Sequence, residues 1–196
     1  MPPEIRYTKE EIIEEAFNLV KEKGISKLSA RSVAKRMNMS MAPIYSSFKS
    51  MNDLSKAVIK KGKEMAISYT KEYYTDRVFL NIGTGVVLFA RDYPNIYKAL
   101  FIEGEVYKDV YHDFVNEVSK QMTKDPRFTT MSDKDRTALL NKMWIFTHGL
   151  ASLTLANLVE DTTQEGIVAT LLDMGGIVIT AALSSLSQKD DKDNNN

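Results

Sequence analysis

The amino-acid sequence predicts an all-α protein, and three observations support that prediction. Apolar residues recur at intervals of three and four along most of the 196 residues, which is the period of a helix with one buried face. Serine or threonine precedes several of these stretches, in the pattern that caps helix N-termini. Alternating polar and apolar runs, which predict strands, are scarce. The chain is long enough for one or two domains with a hydrophobic core.

The first predicted helix covers residues 9–23. Thr8 and Glu11 form a capping box, in which each side chain binds a backbone N–H that the helix leaves unpaired. Apolar residues then fall on one stripe, and they are Ile12, Ile13, Ala16, Phe17 and Val20. Gly24 ends the helix, because glycine adopts the backbone conformation of a helix C-terminus without steric cost.

Two short helices follow, each predicted from a serine cap. Ser29 begins the second helix, and Asn38 lies just after it. Asparagine is one of the few residues other than glycine that tolerates a positive φ, so a tight turn is expected there. Ser40 then begins a third helix that runs to about Phe48.

The remainder of the chain is longer and more apolar. Ser50 and Asp53 open the fourth helix with a further capping pair. Periodicity predicts helices at roughly 50–74, 77–92, 95–102, 104–124, 133–159 and 164–187. The final residues, 188–196, are polar and repetitive and are expected to be disordered.

Composition excludes several kinds of chemistry. The chain has no cysteine and only His112 and His148, which argues against disulfides, thiol catalysis and structural zinc. Neither paired metal-binding histidines nor a glycine-rich phosphate loop is present, so an enzyme is disfavoured and no cofactor or metal is expected. No apolar run with a cleavage site opens the sequence, and a cytoplasmic location is the expectation.

Charge is unevenly divided along a chain whose formal net charge is zero. Residues 1–63 carry 13 lysines and arginines against 7 acids, whereas residues 64–196 carry 13 against 19. A basic N-terminal part favours a polyanionic partner, although clustering on a solvated surface gives the same count.

Two apolar segments near the C-terminus require a partner surface. Residues 166–186 contain one charge, Asp173, and residues 143–159 contain none. Asp173 lies near the middle of its segment, where a charge costs roughly 2.5–3.5 kcal/mol in a membrane. A second copy of the chain is expected to cover both helices, and packing inside a monomer is the alternative. Small residues permit close approach, namely Gly175, Gly176, Ala181, Ala182 and Ser185.

The second and third helices, with a turn at Asn38–Met39, have the spacing of a helix-turn-helix. In that motif the second helix enters the major groove of DNA. With Ser40 as the cap, Pro43 is the third helical residue, inside the first turn, where proline removes no intrahelical hydrogen bond. The motif therefore predicts a nucleic-acid-binding surface.

The composition of the third helix fits this prediction. Ala42, Ser46 and Ser47 are small, so the helix backbone can approach base edges. Ile44 and Phe48 are four residues apart and are expected to face the first helix. Apolar groups on the outer face suit the methyl group of thymine, and hydroxyl groups suit phosphates.

The stretch "LSARSVAKRMNMSMAPIYSSFKSMNDL", residues 28–54, resembles the DNA-binding signature of the tetracycline-repressor (TetR-like) family of bacterial transcription regulators. The matching features are the apolar–serine opening, "VAKRMNMS" across the turn, "IY" and "F" in the third helix, and "DL" in the fourth. Upstream, "EEAFNLVKEKG" is similar to the family's first helix. Beyond residue 65 the resemblance is to a general helical body, with "WIFTHGLASL" similar to one group of such bodies.

The resemblance implies an N-terminal helix-turn-helix DNA-binding domain at 1–51 and a ligand-binding, dimerising helical bundle at 52–187. The residues expected at the DNA are Ser29, Arg31, Ser32, Ser40, Met41, Ala42, Pro43, Tyr45, Ser46 and Lys49. Arg31 is the residue able to bind guanine bidentately, a contact worth roughly 1–3 kcal/mol of discrimination. Alternatively, Arg31 is a solvated surface residue and Tyr45 fills the small core.

The sequence departs from the family pattern at two positions. Asn38 stands where the family has glycine, and Met51 stands where it has lysine before "DL". The second change removes a phosphate contact, for which Lys49, Lys56 or Lys60 are possible replacements.

The resemblance also implies a small-molecule effector that releases a homodimer from a palindromic operator. Aromatic and soft side chains in the body favour an apolar or aromatic ligand. The expected ligand-binding residues are Phe89, Tyr93, Tyr97, Phe101, Met122, Trp144 and His148. Such residues at helical spacing more often build ordinary cores, and His148 is more typical of a hydrogen-bonded interior histidine than of a ligand-binding one. The alternative function is an adaptor that binds a protein partner through the same fold.

Overall fold

The computed structural model describes residues 7–103, 108–129 and 131–193. Within them there are nine α-helices and no strand, which confirms the all-α class. The helices are α1 Lys9–Lys23, α2 Ala30–Arg36, α3 Ala42–Ser47, α4 Met51–Lys71, α5 Val78–Asp92, α6 Pro94–Phe101, α7 Lys108–Met122, α8 Asp133–Leu155 and α9 Gln164–Asp193. Short 3₁₀ turns lie at Ile25–Lys27 and Pro126–Phe128.

Helix α1 begins and ends as its sequence predicts. The Glu11 N–H donates to Thr8 Oγ1 at 3.1 Å and the Thr8 N–H donates to Glu11 Oε2 at 2.8 Å. Gly24 has φ 84° and its N–H donates to the carbonyl of Val20. The Asn95 side-chain amide donates to the carbonyl of Lys21 at 3.0 Å, which satisfies a second C-terminal carbonyl.

The chain forms two compact units. The first contains the described residues up to Met65 and residues from Tyr93 to Phe114, and the second contains Ala66–Asp92 and the described residues from Val115 onward. The predicted domain boundary after residue 51 stays a prediction.

The first unit packs α1 against α2, α3 and α6. Close packing is visible at Gly62 of α4, where an added Cβ would lie 2.8 Å from a methyl group of Ile96. Tyr97, Phe101 and Phe114 form an aromatic cluster, with ring centroids 4.9 and 5.1 Å apart.

The second unit is built around α5, which packs on α8 and α9. Gly85 permits the close approach of the end of α4, because an added Cβ would lie 2.2 Å from the backbone oxygen of Tyr69. Asp125 joins the loop after α7 to the start of α5: its carboxylate accepts from the Phe79 N–H at 3.2 Å and from the Arg127 guanidinium at 2.7 Å. The sequence interpretation did not find this contact.

Several predicted helix ends are corrected. Helix α4 ends at Lys71, not near Tyr74, whose hydroxyl donates to the carbonyl of Tyr69. Helix α8 ends at Leu155, not at 159, because Asn157 has φ 57° and the Leu158 N–H donates a hydrogen bond to the carbonyl of Leu153 at 3.0 Å.

Two further ends concern α7 and α9. Helix α7 ends at Met122, not at 124, and its predicted start at 104 lies outside the described residues. Helix α9 continues to Asp193, so the predicted disorder of the tail is wrong for 188–193, where neither glycine nor proline interrupts the helix. Residues 194–196 lie outside the described residues.

Candidate nucleic-acid interface

Helices α2 and α3 and the turn between them form the predicted helix-turn-helix. Ser29 caps α2: the Ser32 N–H donates to Ser29 Oγ at 3.2 Å and the Ser29 N–H donates to Ser32 Oγ at 3.0 Å. Asn38 has φ 51°, and the Met39 N–H donates to the carbonyl of Ala34 at 3.0 Å. The positive φ predicted for Asn38 is therefore confirmed, and it closes α2 so that the chain can turn into α3.

The start of α3 differs from the prediction. Met41, not Ser40, occupies the N-cap position, and no side chain caps the helix. The reason is that the Met41 carbonyl is the first to accept helical bonds, from the N–H groups of Ile44 at 3.1 Å and Tyr45 at 3.3 Å. Pro43 is consequently the second helical residue, not the third, and still lies in the first turn where it removes no hydrogen bond.

Burial separates the two faces of α3. The side chains of Ile44 and Phe48 are 1% and 4% exposed, whereas Met41 and Tyr45 are 45% and 57% exposed. Tyr45 therefore does not fill the core, and the alternative interpretation of this residue is wrong. The inner residues anchor the helix and the outer residues present it to solvent.

The other predicted DNA contacts lie on the same two helices and their flanks. Six of them are exposed, namely Ser29, Arg31, Ser40, Ala42, Ser46 and Lys49. Ser32 and Pro43 are half-buried. The hydroxyl of Ser32 donates to the carbonyl of Lys27 at 2.8 Å and that of Ser46 to the carbonyl of Pro43 at 2.9 Å. Both hydroxyls thus support the backbone, and their oxygens are acceptors.

Three of the five acids of α1 form ion pairs. Arg36 of α2 binds Glu15 at 2.9 Å and Glu22 at 2.7 Å, and Lys61 of α4 pairs with Glu14. The guanidinium beside Glu22 lowers the pKa of that carboxyl below its usual value. Sequence interpretation missed these pairs, because their members lie between 14 and 47 positions apart.

Other cations of the first unit are not used in this way. Arg31, Lys49, Lys56 and Lys60 are exposed and form no ion pair with another described residue. Positive charge outside the ion pairs is therefore present on α2, on the segment after α3 and on α4. Charge of this kind attracts a polyanion.

Residues flanking the motif complete its frame. Tyr7, just before α1, donates its hydroxyl to the carbonyl of Met37 at 3.3 Å, a contact that sequence reasoning did not predict. At the start of α4 the Asp53 N–H donates to Ser50 Oγ at 3.2 Å, as the capping pattern predicts. Met51 is the first residue of α4 and is half-buried.

The predicted ligand-binding residues fall in both compact units. Tyr93, Tyr97 and Phe101 belong to the first, and Phe89, Met122, Trp144 and His148 belong to the second. Phe89, Tyr97 and Met122 are buried, and the others are half-buried. Trp144 and His148 stack with ring centroids 5.5 Å apart, and burial lowers the pKa of His148. The ligand site stays a prediction.

A second surface lies on α8 and α9. Large apolar side chains are exposed there, namely Ile145 (73%), Leu153 (48%), Leu172 (42%), Met174 (43%) and Ile177 (62%). A Cβ added at Gly149 or Gly176 would meet nothing within 4 Å. By length and composition one described segment, Gln164–Ala182, is able to cross a membrane, although helices of soluble proteins also meet that criterion. Only 17% of its most apolar window is buried, so this face is uncovered in the single chain.

Among the described residues, no group of three or more histidine and acidic side chains is arranged to hold a metal ion. The fold and the exposed α2–α3 surface define a helix-turn-helix protein with a helical body. Residues 12–58 match the family model for bacterial regulatory proteins of the tetR family. Over these residues the chain is similar to the N-terminal domain of that family.

Solved structures share the fold over most of the chain. A transcriptional regulator of the TetR/AcrR type from Aquifex aeolicus VF5 superposes with a TM-score of 0.59 at 20% identity, covering 88% of this chain and 99% of its own. A regulatory protein called SCO4313 gives 0.62 at 20% identity, covering 84% and 94%. A TetR-like transcriptional regulator from Rhodococcus sp. RHA1 gives 0.58 at 11% identity, covering 95% and 98%. Comparison with curated protein sequences gives no match.

Proposed function

We propose that this protein is a ligand-responsive transcription regulator, in its simplest form a repressor, that binds a palindromic DNA operator as a homodimer in the cytoplasm. The observation that carries the proposal is the division of α3 into a buried anchor at Ile44 and an exposed face at Met41 and Tyr45. A short helix held rigidly from beneath and bare on its outer face is suited to the major groove.

The exposed groups supply both kinds of contact that DNA recognition needs. Arg31 offers a planar pair of donors to guanine O6 and N7, while Met41 and Ala42 offer apolar contact to thymine methyl groups. Tyr45 and Lys49 bind phosphates, and these contacts orient the helix without reading sequence. The remaining proposed contacts are Ser29, Ser32, Ser40, Pro43 and Ser46.

Homodimer formation is proposed from the exposed apolar face of α8 and α9. An apolar area of this kind, with glycines at Gly149 and Gly176, favours close packing against another helical surface. Two copies present two recognition helices, which must fit half-sites about 34–36 Å apart. A small rearrangement that alters this spacing releases the operator.

The proposed effector is a small apolar or aromatic molecule that favours one arrangement of the dimer over the other. It must bind the two arrangements with different affinity, and the difference sets the strength of the response. Its proposed contacts are Phe89, Tyr93, Tyr97, Phe101, Met122, Trp144 and His148. The half-buried Trp144–His148 stack offers a flat ring surface with one polar edge.

The test is fluorescence anisotropy of the full chain with duplexes drawn from the DNA flanking its own gene, in 50–200 mM salt. If Lys49, Lys56 and Lys60 each neutralise a phosphate in both subunits, six contacts give a log–log salt slope of about −5. Affinity then falls about a thousandfold across that range. Absence of binding to every duplex at low salt refutes the proposal.

A different outcome would favour the adaptor function. Binding of a protein partner through the apolar side chains of Met41 and Tyr45 is nearly independent of salt, because few counterions are released. A salt-insensitive interaction with protein, together with no DNA binding, identifies the adaptor.

A further inference from the structure

The middle stretches of α8 and α9 carry one charge each. Between Thr137 and Ala156, Lys142 is the only lysine, arginine or acidic residue, and between Gly166 and Ser185 it is Asp173. Both side chains are exposed. Neither forms an ion pair with another described residue. Two opposite charges therefore interrupt an otherwise uncharged surface.

The two charges lie at nearly the same height on the paired helices. Met143 of α8 contacts Gly175 of α9, since a Cβ added to that glycine would lie 3.3 Å from the Met143 methyl group. Lys142 is one residue from this contact and Asp173 is two. At 1.5 Å rise per residue, the charges are within about 5 Å of each other along the helix axes. Lys142 shares a face of α8 with the exposed Ile145, three residues further on, and Asp173 shares a face of α9 with the exposed Ile177, four residues further on. These two faces form the patch.

A patch with this pattern is complementary to itself. In a dimer with a two-fold axis, each contact between two different positions occurs twice. The first position in one subunit meets the second position in the partner subunit, and the second position in that subunit meets the first position in the partner subunit. Lys142 of one subunit can meet Asp173 of the partner subunit, and the reverse contact follows by symmetry. Each charge then gains a partner when the surrounding apolar residues exclude water, which avoids burial of an unpaired ion.

We propose that a second copy of this chain docks on this patch, and that Lys142 and Asp173 form two symmetry-related ion pairs across the interface. The ion pairs determine how the helices of the two copies align, and they disfavour association with a surface whose charges do not match. This inference rests on the proposed homodimer and identifies the residues that determine its specificity. A lipid bilayer fits the patch less well, because it would desolvate both charges without bringing either a partner.

Charge reversal tests the proposal, with oligomeric state measured by analytical ultracentrifugation of the full chain. In Lys142→Glu, both contacts become acid against acid, and in Asp173→Lys both become lysine against lysine. Like charges at an interface cost several kcal/mol, so each variant alone is expected to dimerise about a hundredfold more weakly than wild type. Circular dichroism checks that each remains helical.

An equal mixture of the two variants provides the decisive measurement. In the mixed dimer one contact joins the glutamate introduced by Lys142→Glu to the lysine introduced by Asp173→Lys, and the other contact is the natural pair. Every contact is attractive, so the mixture is expected to recover heterodimers. Matched controls are Lys124→Glu and Glu72→Lys, which reverse exposed charges elsewhere in the second unit and should leave dimerisation unchanged.

The outcomes separate the ion pairs from the proposed function. A monomeric wild-type protein overturns both the pairs and the homodimer. Variants that dimerise like wild type, or a mixture that stays monomeric, overturn the pairs and leave the homodimer standing. If the wild-type protein dimerises, the single variants dimerise weakly and their mixture recovers heterodimers, the ion pairs are supported. If that wild-type dimer binds no DNA, the proposed function is refuted.

Discussion

Ile44 and Tyr45 are neighbours in α3 with opposite environments, and substituting each by alanine separates folding from DNA binding. The Ile44 side chain is 1% exposed, in a helix that packs on α1. Ile44→Ala removes buried carbon atoms and leaves a cavity, which costs about 2–5 kcal/mol of the free energy of unfolding. Total stabilities are about 5–15 kcal/mol, so the loss is large and measurable.

Tyr45→Ala has the opposite effect. The side chain is 57% exposed, so the free energy of unfolding should change by no more than about 0.5 kcal/mol. If its hydroxyl binds a phosphate, the loss is about 1–1.5 kcal/mol per subunit, or roughly a hundredfold in affinity for a dimer with two such contacts. The weakening should be equal for all DNA sequences, because phosphate contacts do not read bases.

Urea denaturation followed by circular dichroism measures stability, and anisotropy with duplex DNA measures affinity. Tyr45→Phe is the matched control, since it removes the hydroxyl and keeps the ring. The reasoning is refuted if Tyr45→Ala destabilises the protein as much as Ile44→Ala, or if it leaves DNA affinity unchanged.

Three other predictions address specificity, the turn and the loop after α7. Arg31→Ala should relax discrimination at one base pair by about 1–3 kcal/mol, measured by competition between duplexes that differ at single positions; unchanged selectivity would show that Arg31 reads no base. Asn38→Ala should cost about 1–2 kcal/mol because the backbone has φ 51°, whereas Asn38→Gly should be close to neutral, as thermal unfolding can show; equal losses would contradict the conformational argument. Asp125→Ala should cost about 2–4 kcal/mol, because it frees the Phe79 N–H and the Arg127 guanidinium from a buried carboxylate. Hydrogen bonds with Arg127 lower the pKa of Asp125. Its contribution is therefore complete above the usual carboxyl pKa and is lost as pH falls through the lowered value. Wild type should lose more stability than Asp125→Ala on acidification, and parallel acid titrations of the two would contradict this account.

Much of the first unit was predictable because its signals are local. The caps at Thr8 and Ser29, the stop at Gly24 and the positive φ of Asn38 each depend on residues within five positions. Asn157 closes α8 in the same way and was overlooked, although asparagine there carried the same signal.

The misplaced cap of α3 shows where local reasoning fails. Ser40 is a good N-cap residue by type. The backbone after the turn is nevertheless oriented so that the Met41 carbonyl accepts the first helical hydrogen bonds. Residue preference sets which side chains are suitable for a cap, whereas the path of the backbone after Asn38 sets which one is used.

By itself the sequence determined the helical class and the helix-turn-helix, because helix period, caps and turn residues act between near neighbours. The tertiary structure alone decided which acids of α1 form ion pairs and which residue joins the loop after α7 to α5. Those outcomes depend on contacts between residues far apart in the chain, as between Arg36 and Glu15 or between Asp125 and Phe79. Spacing along the sequence does not predict such contacts, because they form only when the helices pack.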